Sequence, residues 1–300
     1  MACKGALPKP QCAIFADTGW EPADVYSHLS WLEEMGREHG IPVHRVAKGN
    51  IRNNTLLGTV RGLKADGGRT SLPFFVSHNN SKVDRTAGRF LFVVTFQLRA
   101  QGDDADGLVL SGQLGHAMAI AGRLGRQCTK EYKIEPIHTF IKREILGLKP
   151  RQRTPNEPII ESWRGISKDE VYRVRMSRER WAITSYPLIG IPFDYLDHPY
   201  TRQDCILWLR EHYPDRVVPR SSCLGCPFHS DAEWRQLKEN PDEWADITEF
   251  DRAIRKLGAP RGDCYLHRSL RPIEDVDFRN AEDQGQLRLW NEECEGMCGV

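Results

Sequence analysis

Cys223 and Cys226, in the run Ser222-Cys223-Leu224-Gly225-Cys226-Pro227-Phe228-His229, are spaced to grip a single metal ion, with Gly225 freeing the turn between them. Zinc and iron–sulfur clusters ordinarily take four ligands, so further donors must come from elsewhere. Cys128, Cys294 and Cys298 are the suppliers the chain offers, with His229 as a competitor. Soft thiolates suit zinc and iron–sulfur alike, which leaves the metal open. A redox dithiol is the other reading of the pair, although such a motif belongs at a helix start after an early strand. The chain has 300 residues and nine cysteines, and an odd number at this length argues against a disulfide framework. Cys3, Cys12, Cys205 and Cys264 fall at apolar or helical positions and read as small buried residues.

Asp17-Thr18-Gly19 carries the second chemical signal. It follows the apolar run Cys12 to Ala16 and precedes a helical pattern, which puts it at the carboxyl end of a strand, where open α/β folds bind ligands. Amides at the helix start can hold a phosphate or sulfate, and Asp17 can hold a ribose hydroxyl or, through magnesium, a polyphosphate. Asp17 capping its own turn is the competing reading. Arg126, Lys130 and Lys133 gather near Cys128, and Arg173 and Arg175 follow Gly165 to Glu170. Such side chains suit phosphate, but salt bridges with Glu131, Glu135, Asp169 and Glu170 are the ordinary alternative. The basic segments Lys142 to Arg153 and Glu170 to Arg180 read as solvated helix faces, and His28 and His44 receive no role.

The elements that position these residues follow from periodicity. Strand, helix and strand are expected at Cys12 to Ala16, from Pro22 to Gly40, and at Ile41 to Val46. Val25, Leu29, Leu32 and Met35 mark the buried face of that helix. A helix is expected over Tyr132 to Leu148, strands over Pro158 to Trp163 and Trp181 to Tyr186, and a helix over Thr201 to His212 with Thr201 as its cap. This alternation predicts an α/β fold, an open mostly parallel sheet with crossover helices, over residues 1–219. Residues 220–300 form a cysteine- and tryptophan-rich region that is small for a core of its own, where a metal would act as a cross-link.

Forty-two basic and forty-one acidic residues leave a net charge of +1, so no global field draws the chain to a polyanion. No stretch approaches the roughly 18 to 20 apolar residues of a membrane span, and the amino terminus lacks a signal-peptide pattern. The expectation is a cytoplasmic protein with no membrane partner.

Taken in order, Ile14 to Pro22, Gln127 to Pro136, Gly165-Ile166 with Asp169-Glu170, Tyr186-Pro187-Leu188 and Ser222 to Ser230 resemble one particular group of proteins. That group is the phosphoadenosine phosphosulfate (PAPS) reductase-like branch of the adenine nucleotide alpha hydrolase-like family. It includes phage and bacterial proteins and the sulfur-transfer subunits of DNA phosphorothioation. The resemblance implies binding of ATP or an adenylyl-sulfate, with attack at the alpha phosphate or at sulfur. On that reading Asp17, Thr18 and Gly19 face the nucleotide, Lys130 and Lys133 approach its phosphates, and Gly165, Asp169 and Arg173 line the opposite wall. No catalytic residue is assigned. It further implies a 4Fe-4S cluster or zinc, with Cys128, Cys223 and Cys226 as part of the ligand set, and a sulfur-donor protein or nucleic acid as a partner. The family's Ser-Gly-Gly-x-Asp-Ser phosphate loop has no counterpart in residues 1–11, and Met1 to Leu7 read as the tail of a helix. The expectation is therefore a chain truncated before its phosphate loop. Residues 83–125 are longer than the link that relatives place before the Cys128 motif. Two alternatives follow: a non-catalytic nucleotide-fold remnant, or a zinc-stabilised component of nucleic-acid modification.

Overall fold

The computed structural model describes residues 1–62, 72–77, 121–123, 127–258 and 262–279. Cys294 and Cys298, and residues 83–125 apart from 121–123, lie outside the described residues. The chain is mixed helix and strand, with two small parallel sheets and one antiparallel sheet.

The first parallel pair joins β1 (Ala13–Asp17) to β2 (Val43–Ala47), with Ala13 opposite Val43 and Asp17 opposite Ala47. Parallel neighbours require a crossover, and α1 (Ala23–Glu38) supplies it. Val25 and Leu29 are its buried apolar positions, while Leu32 and Met35 are only half-buried. Gly36 is also buried, and a Cβ there would sit 2.4 Å from the Ile41 carbonyl oxygen, so helix and returning backbone fit only because the side chain is absent. Gly40, at φ 64°, turns the chain into β2 as its position before the strand predicts.

Ile51–Gly62 forms α2, a helix the apolar pattern does not predict. Its signal is Asn50, whose side-chain oxygen accepts from the Asn53 amide as an N-cap does (2.9 Å). The helix expected from Tyr132 begins earlier and is irregular: α3 (Glu135–Phe140) lies between the π-helical turns Thr129–Ile134 and Ile141–Ile145. The second parallel pair joins β5 (Ile160–Trp163) to β6 (Ala182–Ser185). Its connection carries a 3-10 segment, Lys168–Arg173, rather than an α-helix. The antiparallel sheet has β3 (Phe75–Ser77) between β4 (Ala121–Arg123) and β7 (Cys264–Tyr265).

Three more helices complete the described chain. In α4 (Arg202–His212) Thr201 is the cap expected, accepting from the Asp204 amide while Asp204 bonds back. The helices α5 (Asp231–Lys238) and α6 (Pro241–Ile254) have their own caps, Ser230 and Asn240. Both lie beyond Pro219, in the region read as too small for a core. The core forms jointly: Trp234, Leu237, Ile247, Phe250 and Ile254 pack in one cluster with Trp20, Ile51, Phe74 and Val76. An apolar face too small to fold alone is buried against apolar surface supplied from the other side of Pro219. Among the described residues, no helix is long and apolar enough to cross a membrane.

Candidate functional site

Thr18 and Gly19 leave the carboxyl end of β1, and their conformation is set by short local bonds. Asp17 Oδ1 accepts from the Gly19 amide (2.7 Å) and from the Tyr26 hydroxyl (3.0 Å). Burial, with the Asp17 carboxylate beside it, pushes the Tyr26 phenol up to about 12. Gly19 sits at φ 70°, and a Cβ there would lie 3.0 Å from Asn50 Cα, so the left-handed turn and the start of α2 both favour glycine. The α2 amide of Ile51 donates to the Thr18 carbonyl (2.8 Å), closing the loop against β1.

Beneath this loop lies a buried polar chain. The Cys223 thiol donates to Thr18 Oγ1 (3.3 Å), and the Thr18 hydroxyl donates to Glu21 Oε1 (2.8 Å). Thr18 and Glu21 are 1% and 4% exposed, and Glu21 Oε2 has no hydrogen-bond partner. Burial raises the Glu21 carboxyl, opposed chiefly by the charge of Lys133. Burial, then the neighbouring Glu21, pushes the Cys223 thiol up to about 12. Lys133 and Cys128 both act electrostatically on Cys223, so the turn Thr129–Ile134 reaches the same place.

The Cys223–His229 segment is held in register by its backbone. Cys226 N donates to Cys223 O (3.0 Å), His229 N to Cys226 O (3.1 Å), and Leu224 N to Trp20 O (2.9 Å). A Cβ on Gly225 would lie 2.2 Å from the Trp20 indole, so the glycine between the cysteines is required by close approach to Trp20. His229 Nε2 lies 2.9 Å from the Cys223 carbonyl, and because a carbonyl only accepts, that nitrogen carries a proton. Its Nδ1 faces Glu233 at 3.9 Å.

Of the residues singled out from sequence, the structure therefore gathers Asp17, Thr18, Gly19, Lys133, Cys128, Cys223 and His229 about one strand end. Cys226 is half-buried one turn on, and Lys130 is exposed. Gly165, Asp169 and Arg173 belong to the loop after β5. Asp169 accepts there from the Arg202 amide (2.5 Å), and Arg173 pairs with Glu170. Among the described residues, no bond joins these three to the Thr18 cluster. Cys264 is fully buried as expected, whereas Cys3, Cys12 and Cys205 are half-buried. Glu21 and Tyr26 are members of the cluster to which no sequence motif assigns a role. For Glu21, the signal is its place three residues after Thr18, where a turn brings the two side chains together.

The described residues do not complete a metal site: no group of three or more His, Cys, Asp or Glu side chains among them is disposed to hold an ion. None of the described cysteines is in a disulfide, and the Cys223 thiol is engaged as a donor to Thr18. No family model matches the sequence, and no curated protein or solved structure matches it either.

Proposed function

We propose that the chain binds an adenine nucleotide, ATP or an adenylyl-sulfate, at the carboxyl end of β1, and acts in adenylyl transfer or sulfonucleotide chemistry. What carries this reading is the convergence of Asp17-Thr18-Gly19, Lys133 and Cys223 at the end of a parallel strand, the place where α/β folds accept nucleotides. On this reading the finer architecture is the open, mostly parallel sheet of the PAPS reductase-like proteins. Lys133 supplies positive charge for a phosphate, Lys130 a second exposed ammonium, and the backbone about Gly19 the close approach. Gly165, Asp169 and Arg173 form the far wall. A 4Fe-4S cluster or zinc on Cys128, Cys223 and Cys226, completed by Cys294 and Cys298, belongs to the same reading, and no step is routed through it. A nucleic acid or a sulfur-donor protein would be the chain's partner.

One observation favours the alternative, a nucleotide-fold remnant without turnover. Asp17 and Thr18 already spend hydrogen bonds on Gly19, Tyr26, Glu21 and Cys223. Calorimetric titration with ATP and with PAPS, paired with assays for pyrophosphate and sulfite, separates the two. Release of either product establishes the enzyme, binding without release supports the remnant, and no binding of either nucleotide rejects both. Anaerobic purification with iron, zinc and sulfide analysis, repeated on Cys223→Ala, tests the metal.

A further inference from the structure

Glu161 and Trp163 of β5 meet Phe193 and Tyr195 from the segment after β6, so that aromatic side chains gather about one carboxylate. Glu161 Oε1 accepts from Trp163 Nε1 and from the Tyr195 hydroxyl, each at 2.8 Å. The Trp163 and Tyr195 rings are 5.4 Å apart and inclined at 46°. Phe193, 43% exposed, stands 6.2 Å from Tyr195 at 58°. Burial pushes the Glu161 carboxyl up, but the neighbouring Ser185 hydroxyl and the hydrogen bonds from Tyr195 and Trp163 outweigh it and hold it below the usual carboxylate range. Trp163 and Tyr195 are thus tethered by their polar edges to an ionised group, and the three rings are tilted rather than stacked.

Three other tryptophans of this protein carry a cation of their own. Arg216 lies over Trp31 at 4.9 Å, Lys142 over Trp181 at 5.4 Å, and Lys238 over Trp244 at 5.5 Å. Among the described residues, no Lys or Arg lies over Trp163, Tyr195 or Phe193. These rings present the same negative faces, reinforced by a full negative charge, without an internal cation.

We propose that Glu161, Trp163, Phe193 and Tyr195 form a recognition site for a small methylated ammonium ion, of the choline or betaine kind. Methylation is argued from hydrogen bonding. A primary ammonium presents three N–H donors, while Glu161 Oε1 is already engaged twice and leaves only Oε2 to receive them. A quaternary ammonium donates none, and its methyl groups match aromatic faces while its charge is drawn by the rings and the carboxylate. The site is separate from the Thr18 cluster and does not rest on the nucleotide reading.

The test follows the Trp163 indole N–H signal by NMR on the whole chain, assigned by its loss in Trp163→Phe. Choline should shift that signal saturably, with binding on the millimolar scale. The neutral analogue with carbon in place of nitrogen should bind at least about five-fold more weakly. Phe193→Ala should weaken choline binding roughly two- to five-fold, and Glu161→Gln should weaken it as well. Tyr195→Phe, which keeps the ring, should stay within about two-fold of the parent, a milder change than removing a ring. No saturable shift by about 10 mM choline, or equal binding of the neutral analogue, overturns the proposal. So does saturation by a trimethyl-lysine peptide without any response to choline, which would make the surface a protein-docking site.

Discussion

Cys223 is a thiol that its surroundings keep neutral. With its ionisation pushed up to about 12, roughly one molecule in ten thousand carries the thiolate at pH 8. In the presence of a chelator, iodoacetamide at pH 8 should leave Cys223 unmodified in the folded protein and modify it in urea, as read by peptide mass spectrometry. Rapid labelling of the folded protein would mean that the Thr18 bond does not hold it. Glu21 makes a second prediction. Its carboxyl is raised in the fold from an ordinary 4.5, so the folded chain holds that proton more tightly than the unfolded one. The stability this contributes is fully present below about pH 4.5 and is lost as pH rises through the raised folded value. Glu21→Gln keeps an acceptor for Thr18 and removes the titration. Its urea midpoint should lie above that of the parent at pH 7, and the difference should vanish toward pH 4. A parent that loses no stability between those pH values would show that Lys133 fully compensates the buried charge.

At the scale of elements, α5 begins with a capping box whose two halves are legible three residues apart, Ser230 and Glu233. Burial pushes the Glu233 carboxyl up, but it is held down at about 2 by the His229 imidazole beside it, by the Ser230 amide that donates to it, and by the charge of Arg220. A depressed folded value contributes stability above the ordinary 4.5, and that stability is lost as pH falls toward 2. Glu233→Gln should therefore lower the urea midpoint at pH 7 and flatten its fall between about pH 4.5 and 2. Ser230→Ala should cost about 1 kcal/mol at pH 7, read the same way. The α5 box could have been read as the Thr201 cap of α4 was, since both are local sequence signals. The weakly amphipathic α2 offers less, because only Asn50 marks its start.

For the whole molecule, the core that spans Pro219 is the decisive feature. Phe250 of α6 meets Trp20 at 4.5 Å between ring centres and Phe74 at 6.0 Å, and it is fully buried. Phe250→Ala should cost about 3–5 kcal/mol, with a single unfolding transition seen alike by far-ultraviolet circular dichroism and tryptophan fluorescence. Two separated transitions would show that the two sides of Pro219 fold independently. The amino-acid sequence by itself determined β1, β2, β5 and β6, α1 with its glycine stop, α4 with its threonine cap, and the glycine-containing turn between Cys223 and Cys226. Each depends on residues within a few positions of one another, where period, propensity and capping act. Only the tertiary structure decided that Cys223 would donate to Thr18, 205 positions away, and that Glu21 would be buried beside them. It alone placed Lys133 there and left Gly165, Asp169 and Arg173 on another strand end. Those outcomes depend on which apolar faces bury one another, and that choice is made by packing across the chain, where no local pattern records it.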